Sequence, residues 1–469
     1  IAGGDLDDPE FYDYREEVAA GGEIPDSGIG VPGFVAGLGE LHQAHGSMEW
    51  AELVEPARVL ASDGVEVTEF LHTRMTEDLG PDAVEDEDAF APGGNPLEVG
   101  DTLVQEDLAT TLSTLADDGP DSFYTGEVAA DLADVDGLDE QTLADYDVRE
   151  GEPVRGAFGE YEVLSAAPAL PGAALIQMLQ DAESAGIADT EPDSSEYVQT
   201  LSESWLDAEE TAQTDLGDPE FVDVPLSEII GSSTRSSSTQ SSSTQSNSPQ
   251  GSPIQSIPDQ DTSEQAAAPT PSSDDTDPTV PDAPNTTHIS TVDSSGRAVS
   301  MTNTLTNFWG SGDTLGGFFL NNQLSRFDSI DSPANEPEPG KRSVTWSTPS
   351  MVLDDEERPV LAIGTPGGHQ ILNVLGSVLT QWGLQDASLE ESITSLRFRL
   401  DGETDTLFIE EEPSGELAAG IADAGWSTEV WPRDVAAFGS VQALEIDYEN
   451  GTVDGAEDPR REGTFSITE

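Results

Sequence analysis

"PDAPNTTHIS", residues 281–290, is the stretch on which the reading of this chain turns. Upstream of it, residues 231–285 run through "SSTRSSSTQSSSTQSNSPQGSP" and a series of prolines. Apolar side chains are too sparse there to offset the conformational entropy of ordering, so this segment is expected to be a disordered linker. From Thr286 the texture changes at once. "THISTVD", "AVSMTNTL" and "GGFFLNN" are short, rich in β-formers and bounded by turn residues, which predicts strands. The border between the two textures thus carries Asn285, Thr286, Thr287 and His288. Asn285-Thr286-Thr287 also forms an N-glycosylation sequon, as does Asn450-Gly451-Thr452, so surface glycosylation is a competing use of the border.

Working outward, residues 1–230 read as a helix-rich region. "GFVAGLGELHQAHG" and "WAELVEPARVLASDG" carry helical apolar spacing and stop at glycine, a residue that readily takes the left-handed cap conformation. "EYEVLSAAP" reads as a strand and "AALIQMLQDAESAG" as a further helix. In residues 286–469, "SMVLDD" and "RPVLAIG" predict a hairpin. It leads into "TPGGHQILNVLGSVLTQWG", where Ile371, Leu372, Leu375, Val378, Leu379 and Trp382 keep helical spacing. Helices and strands mixed in this way predict a layered α/β architecture.

Composition narrows the chemistry. Of 469 residues, 95 are acidic and 16 basic, a net charge of −79, and Lys341 is the only lysine. The acids are spread along periodic segments such as "DLATTLSTLADD", which argues for a folded protein adapted to concentrated salt. There the Debye length shrinks to about 3 Å at 1 M and self-repulsion is screened. Nucleic acid is excluded as a partner because no basic stripe is present to neutralise phosphates. The absence of cysteine excludes disulfides, zinc thiolates and thiol catalysis. No window of 18 apolar residues occurs, so no transmembrane helix is expected. His42, His45, His72, His288 and His369 lack metal-ligand spacing, and neither metal nor cofactor is expected. "GIGVPG", with Gly28, Gly30 and Gly33, lacks the preceding strand of a dinucleotide site and reads as a loop entering a helix.

"GTPGGHQ" places Gly367 and Gly368 between a strand and an apolar helix, where unpaired backbone N–H groups and the helix dipole meet. Two readings fit: a plain tight turn, or a pair of amides able to stabilise an oxyanion.

These motifs occur together. "DYREE", "GVPGFVAGLGELHQAHGSMEWAELVEPARVLASDG", "GDTLVQEDLATTLSTLADDGPDSFYTG", "TTHISTVDSSGRAVSMTNTLTNFWGSG", "FFLNNQ", "GTPGG" and "GAEDPRREG" follow one another in that order. In this the chain resembles the gamma-glutamyltransferases (gamma-glutamyltranspeptidases), a family of N-terminal-nucleophile hydrolases, over nearly its whole length except the linker. The resemblance implies a four-layer αββα sandwich built jointly by a large and a small subunit. Both would come from one precursor that cuts itself between Asn285 and Thr286, leaving the region 1–230 with the linker 231–285 on one side and a catalytic subunit 286–469 on the other. Cleavage would turn the Thr286 nitrogen into a free amine, whose pKa of about 7.7–8.0 suits a general base beside its own hydroxyl.

The resemblance further implies that Thr286 attacks the γ-carbonyl of a glutamyl amide while Gly367 and Gly368 hold the oxyanion. Water as acceptor gives hydrolysis; an amino acid or peptide gives transpeptidation. Thr304 matches the threonine that hydrogen-bonds the nucleophile. Arg15 matches the arginine that clamps the substrate α-carboxylate, and Gln323 a contact to the α-amino group. An extracytoplasmic or secreted location is also implied. The family carries a strand-and-helix segment ahead of the arginine motif, so this sequence is expected either to be a fragment or to depart from the family there. Three departures bear on the donor pocket. Arg326 stands where the family has aspartate, Thr306 where it has asparagine, and Thr345-Trp346 where it has two serines. They leave room for a related amidase or acylase accepting other acyl groups. The short segment between Arg326 and Lys341 predicts that no lid loop covers the cleft. An unprocessed acidic surface protein is the reading from a different class.

Overall fold

The computed structural model describes residues 1–468 except 78, 232–285, 331, 434–435 and 462. The expectations for the linker and for Asn285 therefore lie outside the described residues. The architecture is α/β, organised by a six-stranded antiparallel sheet. Its strands lie in the order Thr452–Gly455, Gln442–Asp447, Pro359–Gly364, Ser350–Leu353, Tyr161–Ser165, Val154–Phe158. Two strands come from before residue 231 and four from after 285, so the two halves of the chain share one sheet. The predicted hairpin of "SMVLDD" and "RPVLAIG" forms its centre, pairing Met351 with Ala362.

Alternation along these strands decides what each face packs against. On one face Val163, Val352, Leu361 and Ile363 join a large apolar core with the helices Gly172–Ser184, Ser195–Thr214 and Ile371–Leu384. Trp205 and Tyr197, both fully buried, anchor the middle helix in that core. On the other face Leu164, Met351, Ala362 and Ile446 meet a second sheet, the hairpin of Thr286–Val292 and Ala298–Thr304. That hairpin is antiparallel and in register throughout, from Thr286 opposite Thr304 to Val292 opposite Ala298. Beyond it lies a second helical cluster around Val31, Leu115, Phe123, Leu132 and Leu143. Helix, sheet, sheet and helix thus succeed one another as expected.

The helices Phe34–His45 and Trp50–Asp63 fall where their spacing predicts, but their glycine ends differ from expectation. Gly46 is extended (φ −68°, ψ 140°), not left-handed, and Gly64 has positive φ with an extended ψ (89°, 160°). Glycine is needed at 46 for closeness: a Cβ there would lie 2.5 Å from the His42 carbonyl oxygen. "GGFFLNN" yields only the two-residue strand Phe318–Phe319.

Several basic residues are used inside. Lys341, Arg342, Arg397, Arg399 and Arg460 are all buried. The late motif "GAEDPRREG" is an internal ion cluster, in which Asp458 pairs with Arg397 at 3.0 Å and Arg460 at 3.1 Å, and Arg460 also pairs with Glu410. Among the described residues no helix is long and apolar enough to cross a membrane, and no group of three or more histidines and carboxylates is placed to hold a metal.

Candidate active site

Thr286 opens its strand, is 9 % exposed, and faces Thr304 across the hairpin. Its hydroxyl lies 3.2 Å from the Thr304 Oγ1, which also accepts the Thr306 N–H at 2.9 Å. Thr306 has φ +81°, a strained conformation for a β-branched residue. Two bonds hold it there: the N–H to Thr304, and its hydroxyl donated to Gln323 Oε1. The Gln323 amide in turn donates to Ser343 Oγ at 3.1 Å. A polar chain therefore runs from Thr286 through Thr304, Thr306 and Gln323 to Ser343.

The strand Pro359–Gly364 delivers the glycine pair to the same place. Gly367 and Gly368 both have positive φ (151° and 54°), which side chains rarely adopt. One 3-10 turn, Gly368–Gln370, comes before the helix, which begins at Ile371 rather than at the glycines. The Ser440 N–H bonds Thr365 Oγ1 at 3.2 Å and ties down the approach to the turn. Thr286, Thr304, Thr306, Arg326, Thr345, Trp346 and Gly368 share one small cavity of about 10 Å³, room for about one water molecule. Trp346 is fixed from behind by His369, whose ring lies 4.4 Å away and whose Nε2 is 2.8 Å from Glu209.

A larger cavity of about 620 Å³ adjoins this cleft, and Arg15, Thr304, Gln323 and Thr345 line it. The segment from Arg326 to Lys341 stays compact. Asn335 donates to the carbonyls of Arg326 and Ile330 and accepts the Val344 N–H at 2.8 Å. Arg15 is already braced by protein groups. Its Nε and Nη2 fork onto Asp13 at 2.9 and 2.8 Å, and Nη1 donates to the Ser343 carbonyl at 2.7 Å. Burial alone would raise the Asp13 carboxyl, but the guanidiniums of Arg15 and Arg342 hold it well below the usual range. Neighbouring Glu16 lacks such a match, and burial pushes its carboxyl up to about 7.

The structure thus brings Thr286, Thr304, Thr306, Thr345, Trp346 and Gly368 to one small cavity, places Arg15 and Gln323 on the adjoining larger one, and leaves Gly367 in the turn beside Gly368, lining neither. Sequence reasoning did not single out Asp13, Ser343 or Asn321. Asn321 exchanges two hydrogen bonds with Gly30, at 3.0 and 2.9 Å, and so docks the "GIGVPG" loop ahead of its helix. Asp13 lay inside the quoted "DYREE" and Asn321 inside "FFLNNQ", but their long-range partners left no local signal. His45 is half-buried and bonds Glu10 at 2.8 Å.

Two face-to-face sheets within helices, with a threonine heading an inner strand beside a glycine turn, define the N-terminal-nucleophile hydrolase fold. The chain belongs to the gamma-glutamyltranspeptidase family, whose profile matches residues 8–468. It is 33 % identical over 465 residues to the capsule biosynthesis protein CapD proenzyme of Bacillus anthracis, covering 98 % of this chain and 80 % of that one. It is 29 % identical over 471 residues to the glutathione hydrolase proenzyme of Bacillus subtilis strain 168, covering 96 % and 76 %. The crystal structure of cephalosporin acylase from Bacillus halodurans shares the fold, with TM-score 0.77 at 22 % identity, covering 97 % and 81 %.

Proposed function

We propose that this chain is a self-processing amidase or acyltransferase with Thr286 as nucleophile, related in chemistry to gamma-glutamyl transfer but selecting a different acyl donor. The observation that carries the reading is the convergence of Thr286, Thr304 and Gly368 on one cleft. In the precursor, the Thr286 hydroxyl attacks the Asn285 carbonyl. Transfer of the acyl group from nitrogen to oxygen gives an ester, and water releases Asn285 as a carboxylate and Thr286 as a free amine. That amine then takes the hydroxyl proton as Oγ attacks the donor carbonyl. The amides of Gly367 and Gly368 receive the oxyanion, the proton passes to the leaving amine, and water or an amine discharges the acyl-enzyme. The parts 1–230 and 286–469 stay together because they share one sheet.

Two side chains of the cleft support altered donor selection. Arg326 would repel the α-ammonium of a free γ-glutamyl group, and Trp346 occupies space beside the nucleophile. An acyl chain without that ammonium, such as glutaryl, fits better. The second reading, a free γ-glutamyl donor, draws on Gln323 and on the glutathione hydrolase name of one relative. The net charge of −79 supports work in concentrated salt.

One experiment addresses all three points. Purified protein is followed by SDS gel and N-terminal sequencing, then assayed with glutaryl and γ-glutamyl p-nitroanilides in molar KCl and in dilute buffer. A new chain should start at Thr286, with glutaryl turnover the greater. Thr286→Ala should stay uncut and lose at least about a thousandfold in activity, while Thr286→Ser keeps part of both. An uncut but active Thr286→Ala protein would sink the mechanism. Preference for γ-glutamyl would select the second reading, and equal activity in dilute buffer would remove the salt-adapted one.

A further inference from the structure

The inward side of the hairpin is polar over the three positions nearest the nucleophile and turns apolar only at its far end, at Val292 and Ala298. Thr286, His288 and Ser290 point to one side of their strand and stand directly opposite Thr304, Thr302 and Ser300. All six are packed between two sheets, where apolar side chains are the usual filling. His288 lies at the centre of this seam and is 4 % exposed. Its Nδ1 is 2.8 Å from Thr302 Oγ1, and its Nε2 is 3.1 Å from Ser290 Oγ and 3.4 Å from Ser300 Oγ.

The proton positions follow from counting donors. Each serine hydroxyl has one proton. Ser290 gives its proton to the carbonyl of Ala362 or Gln442, both at 3.2 Å. Ser300 gives its proton to the Ile363 carbonyl at 3.0 Å. Carbonyls cannot donate, so both serines are left as acceptors toward Nε2. Nε2 therefore carries the ring proton, and Nδ1 accepts from Thr302. Burial lowers the His288 pKa to about 3, so the ring is neutral across the working range.

The ring also fills a space left open by a glycine. A Cβ on Gly364 would lie 2.2 Å from His288 Cε1 and Nδ1. Gly364 is the last residue of the strand that runs on into Gly367 and Gly368.

We propose that His288 is a positioning residue, a neutral imidazole protonated at Nε2 that spaces the Thr286 strand from the strand delivering Gly367 and Gly368. Apolar contacts would let the two strands slide; the Ser290 and Ser300 hydroxyls, which His288 orients and which donate across to the carbonyls of Ala362 or Gln442 and of Ile363, together with a ring wedged on bare backbone, do not. His288 thereby sets the distance between the Thr286 hydroxyl and the amides that receive the oxyanion. This rests on the assignment of Thr286 as nucleophile.

The test compares His288→Ala, His288→Gln, Gly364→Ala and the double variant His288→Ala/Gly364→Ala in the processed enzyme. His288→Ala should lower kcat about 100-fold, because small misplacements of reacting groups carry that cost. KM should stay within about twofold, since donor contacts are untouched. His288→Gln should recover part of the loss. Gly364→Ala alone should be as harmful as His288→Ala, while the double variant should lose no more than either single one, the new methyl occupying the vacated space. Nitrogen-15 spectra of histidine-labelled wild type should show one ring fixed as the Nε2–H tautomer from pH 8 to pH 5. Unchanged kcat in His288→Ala, losses that multiply in the double variant, or a buried ring protonated at Nδ1 would each overturn the proposal. The spectrum decides even if a variant fails to fold. It does not depend on Thr286 chemistry, whereas an active Thr286→Ala enzyme would remove only the underlying assignment.

Discussion

The strand Pro359–Gly364 separates two unlike halves of the molecule. Leu361 and Ile363 look toward three helices and are wholly enclosed by apolar side chains. Ala362 and Gly364, the alternate residues, look toward the Thr286 hairpin, where a small apolar cluster meets Ala362 and the His288 imidazole with its hydroxyl partners fills the space at Gly364. The difference teaches a division of labour. The helix face supplies non-directional burial and hence stability. The hairpin face spends part of that stability on hydrogen bonds that fix where Thr286 and the glycine turn lie.

If this division holds, substitutions on the two faces should separate stability from turnover. The largest effect is expected on the helix face, where Leu361→Ala should cost about 2–5 kcal/mol of unfolding free energy through the cavity it opens. Urea denaturation measures this, and kcat of the folded enzyme should not change. A matching loss of kcat would break the comparison. On the hairpin face, Thr304→Val keeps the shape but removes the oxygen that accepts from Thr286 and Thr306. It should lower kcat/KM about 10–100-fold, roughly 1.4–2.7 kcal/mol in the barrier, and Thr304→Ser should restore most of it.

A further effect is confined to acid pH. His288 has a folded-state pKa of about 3 against an ordinary 6.5, so between those values the unfolded chain binds the extra proton. Its contribution to stability is complete above pH 6.5 and is lost as pH falls toward 3, at up to about 1.4 kcal/mol per unit. Denaturation midpoints between pH 4 and 7 should flatten in His288→Gln. Glu16 runs the other way: its raised pKa makes it stabilising only at low pH, a contribution lost as pH rises through about 7. A wild-type curve with no acid-side loss attributable to His288 would place the imidazole in water, not in the seam.

Much of the fold was legible in the sequence. The helical spacing of Ile371 to Trp382, the hairpin of "SMVLDD" and "RPVLAIG", and the ordered texture starting at Thr286 are local patterns, and local periodicity is written in consecutive residues. The glycine pair was legible as well, because a strand-to-helix turn with two glycines has few conformations to adopt. What could not be read were pairings between segments far apart in sequence. Nothing near Arg15 announces that Asp13 will brace it or that the Ser343 carbonyl will take its third hydrogen bond. His288 looked like one scattered histidine among five, since two of its three partners stand on the opposite strand and its bed is Gly364.

By itself, then, the sequence determined the order of elements, the acidic character and the threonine at the border of two textures, because each depends on neighbours along the chain. The tertiary structure alone decided which residues crowd that threonine. Thr304, Gly368, Arg326 and Trp346 come from four separate segments, and only the closing of one sheet against another brings them within reach.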